Sequence, residues 1–194
     1  MRVIVVVFSL LLLGACRPET YIPKPRGYAN IDTPQHRYQS FDQPGYPYTF
    51  EYPVYGKITK DTLLGGRKPD NPWWINIEFP SLGGTLYLSY KIIDSQHPLE
   101  KLLDDSHEMS FFITKRADYM NTPGFHTPNN VHGVMYTIGG NAASAYQFFA
   151  TDSTSHFLRG ALYFDVSPNA DSLKPVTDFL HTDINHLIRT LRWK

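Results

Sequence analysis

The chain has 194 residues, and its 18 lysine and arginine residues balance its 18 aspartate and glutamate residues. Such a balance gives no general electrostatic attraction to nucleic-acid phosphates or anionic lipid, so nucleic acid is not expected as a partner. The length suits one domain of ordinary size, and a single cysteine excludes an intrachain disulfide as its support.

The first residues have the pattern of a bacterial lipoprotein signal. Arg2 precedes an apolar run over residues 3–13, and the small residues Gly14 and Ala15 stand directly before Cys16. The run is shorter than the roughly 20 apolar residues that a membrane-spanning helix needs. A retained membrane anchor and a cleaved, lipidated signal are the two interpretations, and the lone cysteine favours the second. We therefore predict a signal peptide over residues 1–15 and lipid on Cys16, which would anchor the mature chain to a membrane.

Residues 16–47 are rich in proline and aromatic residues and show neither a helical nor a strand period. Proline fixes φ and removes a backbone donor, which favours extended segments and turns. We expect a lipidated tether at the beginning of this segment. Its aromatic side chains can bury a large apolar area, so we expect the later part to lie against the folded domain.

Alternating apolar and polar residues predict six strands, and a period near 3.6 predicts two helices. The strands are expected at residues 48–54, 73–79, 85–92, 131–138, 143–151 and 156–166, and the helices at residues 99–117 and from Asp171 or Ser172 to Leu191. Loops are expected at residues 59–72 and 121–130. The prediction is a single α+β domain over residues 48–194, in which two helices cover an antiparallel sheet of about six strands.

The order of three strands, a helix, three strands and a helix is similar to the fold of the photosystem subunit PsbP and the Ran-binding protein Mog1. Members of that fold mostly dock on other proteins. A likeness of fold transfers no function by itself.

The histidines show no metal-binding pattern. His181 and His186 lie five residues apart on a predicted helix, so they point in different directions and are expected to be solvated. His126, His132 and His156 lie near predicted turns and are expected to be surface or turn residues. The sequence therefore predicts neither a metal site nor a cofactor.

A hydrolase triad is not predicted either. Asp152, Ser153, Ser155 and His156 are suitable residue types, but they fall in one turn, whereas the members of a triad come from separate elements. Turn formation explains this cluster without catalysis. We predict that the protein is not an enzyme.

The small-residue turn at residues 139–144 has two interpretations. It can be a simple hairpin turn, since Gly and Asn tolerate positive φ and the lysine of a phosphate-binding loop is absent. Alternatively, the small side chains let another backbone or a ligand approach closely, and Asn141 offers hydrogen bonds to it. Both interpretations remain open.

Long stretches of the chain resemble the gliding motility lipoprotein GldD family. They include Tyr-Ile-Pro-Lys-Pro-Arg-Gly-Tyr at residues 21–28 and Gly-Gly-Asn-Ala-Ala-Ser at residues 139–144, with further stretches at residues 50–55, 74–77, 151–154, 156–164 and 191–194. The resemblance implies a lipoprotein of Bacteroidota needed for gliding, whose machinery is linked to type IX secretion of surface adhesins. It implies other envelope proteins of that machinery as partners, and neither catalytic residues nor a cofactor.

Two functional hypotheses follow. The first is an interaction protein that docks on an envelope complex, anchored in the outer membrane and facing the periplasm. Surface-exported lipoproteins of these bacteria usually carry acidic residues just after the cysteine, and residues 17–20 contain only Glu19. The alternative is a glycan or small-molecule binder, with or without weak hydrolase activity, that uses Trp73 or Trp74. It requires a pocket that joins a tryptophan to Asn141 and Asp152.

The candidate interaction surface combines three parts of the chain. They are the proline and tyrosine segment at residues 21–28, the 139–144 turn, and the turn that contains Asp152. The 139–144 turn has no bulky side chain for a core, and the segment has no period that would make it pack internally. The candidate residues are Tyr21, Pro23, Lys24, Arg26, Tyr28, Gly139, Gly140, Asn141, Ser144 and Asp152.

Overall fold

Eleven strands and two helices form the regular structure of residues 32–60 and 69–194, the ranges that this computed structural model describes. Cys16 and the predicted signal peptide lie outside these ranges, as do Tyr21, Pro23, Lys24, Arg26 and Tyr28. The strands are β1 (Tyr38–Phe41), β2 (Tyr48–Pro53), β3 (Lys57–Lys60), β4 (Ile75–Phe79), β5 (Gly84–Ile92), β6 (Ala117–Asn121), β7 (Gly124–Thr127), β8 (Val131–Gly140), β9 (Tyr146–Thr151), β10 (His156–Phe164) and β11 (Arg192–Trp193). The helices are α1 (Leu99–Phe112) and α2 (Ala170–Thr190).

The predicted α+β class, with an antiparallel sheet and two helices, is confirmed. The main sheet has the order β3-β4-β5-β10-β9-β8-β6, and β7 also pairs with β8. Strands β5 and β10 pair along their whole length, with Gly84 opposite Phe164 and Ile92 opposite His156. This long antiparallel pair joins the β3-β4-β5 meander to the β8-β9-β10 meander.

Helix α2 covers one face of the main sheet, which we call the first face. The apolar residues of β4 and β5, such as Ile75 and Leu88, pack in one core with Leu180 and Ile184 of the helix. The Asn169 side chain caps the helix, because its Oδ1 accepts a hydrogen bond from the Ser172 N–H at 3.2 Å. The predicted cap at Asp171 or Ser172 was therefore wrong by two or three residues.

A second, smaller sheet of β1, β2 and β11 packs against α2. Its core side chains are aromatic, and the ring centroids of Phe41 and Phe50 lie 5.0 Å apart. Because Phe41 and Tyr46 are buried, the packed domain begins before residue 48, and the predicted domain boundary was too late. The predicted strand at residues 48–54 exists as β2, but it belongs to this small sheet and not to the main one.

Helix α1 covers part of the second face of the main sheet. Leu102 packs there against Tyr136, Phe149 and Phe157. The helix ends at Phe112, and a 3₁₀ turn at Ile113–Arg116 leads directly into β6. The predicted end at residue 117 was wrong, and the early end leaves the remainder of the second face uncovered by α1.

The predicted loops contain short strands. Residues 59 and 60 belong to β3, and β7 lies within the predicted loop at residues 121–130. Strand β8 runs on to Gly140, whereas β9 begins only at Tyr146. Short strands such as β3 and β6 obtain their hydrogen bonds from partners about 20 residues away, so a local period gives them little signal.

Asp183 of α2 is a buried acceptor that ties the beginning of the described chain to the domain. Its side chain is 2% exposed. Oδ1 lies 2.7 Å from His36 Nδ1 and accepts a hydrogen bond from the Tyr38 hydroxyl at 3.0 Å, while Oδ2 accepts one from the Tyr55 hydroxyl. Burial, together with these contacts to Asp183, raises the pKa of Tyr38 to about 12.

Candidate functional site

The glycines of the 139–144 turn are needed for packing inside the domain. A Cβ on Gly139 would lie 2.1 Å from the ring of Tyr119, and Gly140 has a φ of +88°. A Cβ on Gly140 would also lie 2.7 Å from the backbone nitrogen of Asp118 in β6. The close approach considered for this turn is therefore made by a neighbouring strand of the same chain.

Asn141 and Ser144 also make contacts within the domain. Asn141 Oδ1 accepts a hydrogen bond at 2.9 Å from the backbone N–H of Ala170, the first residue of α2. Ser144 is 1% exposed, and its hydroxyl donates to the Tyr146 carbonyl oxygen at 3.2 Å. Ser144 therefore lies inside the domain, and Asn141 satisfies one of the free N–H groups at the start of a helix.

A cleft of about 140 Å³ lies between this turn and the beginning of α2. Lys174 Nζ and Asp178 Oδ2 form an ion pair at 2.7 Å beside it, and the ring of His181 stacks on Tyr146 at 4.2 Å. Burial, followed by the influence of Asp178, raises the pKa of Tyr146 to about 12. The cleft is small and lined by residues that already have partners, so it has room for only a few atoms of a ligand.

Asp152 stabilises the turn between β9 and β10. Its Oδ1 accepts hydrogen bonds at 2.9 Å from the backbone N–H groups of Thr154, Ser155 and His156. Burial alone would raise the pKa of Asp152, but these backbone donors outweigh burial and lower it. The Asp152 carboxylate therefore has a structural role in the turn, which explains its position without catalysis.

The residues considered for a hydrolase triad do not converge on one site. The Ser153 hydroxyl lies 2.6 Å from His132 Nε2, whereas His156 Nδ1 lies 2.6 Å from the Tyr90 hydroxyl. His156 directly follows the turn, as expected, but it is partly buried, since its ring stacks on Trp193 at 5.1 Å and burial lowers its pKa. His132 and His156 therefore have different partners, the Ser153 hydroxyl and the Tyr90 hydroxyl.

The prediction that His181 and His186 are solvated was wrong. His186 stacks on Tyr38 at 3.5 Å, and its Nε2 lies 2.6 Å from Glu51 Oε2. Burial lowers the pKa of His181. Both rings therefore hold α2 to neighbouring elements.

The two adjacent tryptophans directly precede β4, and both pack against the core on the first face. Trp73 donates from Nε1 to the Gly45 carbonyl oxygen at 2.7 Å, and Trp74 donates from Nε1 to the Tyr90 carbonyl oxygen at 2.7 Å. Asn141 precedes β9 and Asp152 follows it, so the six-residue strand separates them by roughly 20 Å. This spacing contradicts the single compact pocket that the glycan-binding alternative requires.

An open groove of about 820 Å³ occupies the part of the second face that α1 leaves uncovered. We call it the second-face groove. Its floor comes from β5 and β10, one wall from Trp74, and the other from the end of α1. The lining residues are Trp74, Tyr87, Leu88, Ser89, Glu108, Met109, Phe112, Ile113, Arg159, Ala161, Tyr163, Phe164 and Asp165.

The end of α1 presents large apolar side chains to solvent. Met109 is 48% exposed, Phe111 is 61% exposed and Phe112 is 67% exposed. We call these three residues the helix-end patch. Lys115 Nζ lies 4.2 Å from the centre of the Phe112 ring. Because Met109 and Phe112 also line the second-face groove, patch and groove form one continuous apolar surface.

Comparison with known proteins decides the family. A family model described as gliding motility lipoprotein GldD matches residues 18–193. The chain belongs to the GldD family. It is therefore a membrane-anchored lipoprotein of the cell envelope that is associated with gliding motility.

Other comparisons of this GldD-family chain give no further information on its function. A search of curated protein sequences found no match. Among solved structures, cyanobacterial PsbP (CyanoP) of Synechocystis is similar, with a TM-score of 0.48 and 12% identity over 87% of this chain and 98% of that chain. Within the described ranges, neither helix is long and apolar enough to cross a bilayer.

The sequence patterns of this GldD-family chain do not predict the second-face groove. One signal was available, because Met109, Phe111 and Phe112 lie beside the predicted apolar stripe of α1 instead of on it. A second signal was Arg159, a charged residue within an otherwise apolar strand. The candidate residues Gly139, Gly140, Asn141, Ser144 and Asp152 all have contacts within the domain, and their role in an interaction stays a prediction.

Proposed function

We propose that the protein is a docking component of the gliding and type IX secretion machinery, anchored by lipid on Cys16 in the outer membrane and facing the periplasm. Its role is to hold other envelope proteins of that machinery, and it needs no catalysis. The family supports a motility-linked lipoprotein, and the surface of the domain supports binding to protein.

The helix-end patch is the observation that carries this proposal. Folding normally buries large apolar side chains, and a cluster of exposed ones marks an interaction surface. Here two adjacent phenylalanines are more than half exposed and border an open aromatic groove. Aromatic residues of this kind supply much of the binding energy of protein interfaces.

The position of the patch suits an anchored docking protein. His36 and Tyr38, where the described chain begins to pack, contact α2 on the first face of the sheet. The helix-end patch lies on the second face, with the main sheet between them. A partner can therefore bind the patch without displacing His36 and Tyr38 from α2.

The double variant Phe111→Ser with Phe112→Ser tests the proposal in cells. Both side chains are mostly exposed, so we expect the free energy of unfolding to change by less than about 1 kcal/mol. Loss of two interface aromatics should weaken docking at least about 30-fold, so spreading on agar and adhesin secretion should fall sharply.

Val54→Ser is the matched control for this pair. Val54 is also an exposed apolar residue, at 44%, but it lies beside the small sheet and far along the chain from α1. We expect wild-type spreading and secretion from it. Wild-type spreading and secretion from the double phenylalanine variant, at normal protein levels, would refute the proposed docking surface.

A further inference from the structure

Arg159 places a positive charge in the floor of the second-face groove. It lies in the middle of β10, opposite Ser89 of β5. Its Nη2 donates to Gln147 Oε1, while its Nε is buried without a hydrogen-bond partner. Within the described ranges, no aspartate or glutamate forms an ion pair with this guanidinium.

The direct contacts of Arg159 with described residues supply no counter-charge, and Glu108 and Asp165, which line the same groove, form no ion pair with it. Gln147 is neutral, and its single amide oxygen is shared with the Ser110 hydroxyl, which donates to it at 3.2 Å. The amide nitrogen of Gln147 and the hydroxyl oxygen of Ser106 are also buried without partners. A buried charge is costly without a counter-charge, and buried polar groups normally have hydrogen bonds. Of these groups Arg159 is the one that lines the open groove, and a polar ligand there would complete its hydrogen bonds.

We propose that the second-face groove binds an acidic side chain of a partner protein, with its carboxylate on Arg159 and an adjoining apolar or aromatic side chain against Trp74 and Phe112. This inference rests on the proposed docking function and specifies the chemistry of the partner. A guanidinium and a carboxylate form two parallel hydrogen bonds, which suits a planar ligand at the groove floor.

The rim of the groove favours a single carboxylate over more highly charged anions. Glu108 and Asp165 both line it, so a multiply charged phosphate or nucleic acid would meet more repulsion than a single carboxylate. The continuity of the groove with the helix-end patch favours a polypeptide, because a bound peptide could cover Phe112 and Met109 together. A small molecule would leave those side chains exposed.

Selection of random heptapeptides, displayed on phage, on the full-length lipoprotein in phospholipid nanodiscs tests the proposal. We expect enrichment of peptides with aspartate or glutamate beside a large apolar residue. The best peptide, capped at both ends, is then titrated beside its Asn or Gln counterpart. The amide form should bind wild type about tenfold more weakly or worse, as expected for loss of a charged hydrogen bond.

The variant Arg159→Gln completes a double-mutant cycle, in which the acidic residue of the peptide and Arg159 of the protein are each replaced. In this variant the acidic and amide peptides should differ by less than about twofold, because the charge that distinguishes them is gone. Equal binding of both peptides to wild type, or a selection without an acidic position, would overturn the inference. So would an unchanged preference in Arg159→Gln.

Ser89→Tyr serves as a second variant in case Arg159→Gln does not fold. It retains Arg159 but fills the groove beside it, so peptide binding should be lost, and unchanged binding would place the site elsewhere. Failure of the docking function would look different. In that case the acidic peptide binds as expected, while the Phe111→Ser and Phe112→Ser double variant still spreads and secretes normally.

Discussion

Replacing Asp183 with alanine should lower the free energy of unfolding by about 3–5 kcal/mol. The carboxylate is 2% exposed, and its two oxygens serve His36, Tyr38 and Tyr55. The alanine variant leaves these groups without their acceptor inside the domain. It also releases β1 and the chain before it from α2.

Urea unfolding, followed by tryptophan fluorescence, measures this loss. Asp178→Ala is the matched control, since Asp178 lies on the same helix and forms a surface ion pair with Lys174. Such a pair contributes about 0–1 kcal/mol, so the control should remain close to wild type. Similar small losses in both variants would show that Asp183 does not hold the two parts of the domain together.

The variant Cys16→Ser should lose its lipid completely. A serine hydroxyl cannot replace the thiol in lipid attachment, so the chain should remain unprocessed or become soluble. The buried core of the described domain does not use residue 16, so the melting temperature of the domain should stay at the wild-type value. Metabolic labelling with a radioactive fatty acid and membrane fractionation measure both effects.

Thr20→Ser is a suitable control for the lipid experiment, because it changes a nearby side chain without touching the thiol. It should carry lipid and remain with the membrane fraction. Equal incorporation of fatty acid into Cys16→Ser and wild type would contradict the assignment of Cys16 as the lipidated residue.

The strands with clear alternation were predictable because their pattern is set by local burial. In β4, Ile75, Ile77 and Phe79 are buried, while the residues between them are partly exposed. Strands β1 and β11 are different, since they exist through pairing with β2, with Tyr38 opposite Pro53 and Arg192 opposite Thr49. Such short strands depend on contacts between distant parts of the chain.

Asp183 is visible in the sequence as a charged residue on the apolar side of a predicted helix. The helical period alone does not explain why a carboxylate lies there. Asp183 lies three residues after Leu180 and four before Leu187, on the apolar side of α2. A carboxylate at such a position needs buried partners, and two of them, His36 and Tyr38, come from the later part of residues 16–47, which was expected to lie against the domain. These partners could be identified only once β1 had been placed against the helix.

The second-face groove was not predictable for a related reason. Its existence depends on where α1 ends, and the apolar period alone placed that end at residue 117 instead of Phe112. The 3₁₀ turn shortens the helix and uncovers Trp74, Tyr87 and Tyr163 of the sheet. The need for glycine at residues 139 and 140 could not be predicted either, because it comes from Tyr119 and Asp118 of β6.

Photocrosslinking from position 112 in living cells tests the docking proposal most directly. Phe112 is replaced by p-benzoylphenylalanine, and the exposed Lys57 at the far edge of the main sheet is replaced in the same way as a control. We expect position 112 to form an adduct with an identified envelope protein of the gliding or secretion machinery, and position 57 to form none. The absence of an adduct from position 112, or the same adducts from both positions, would contradict docking through the helix-end patch.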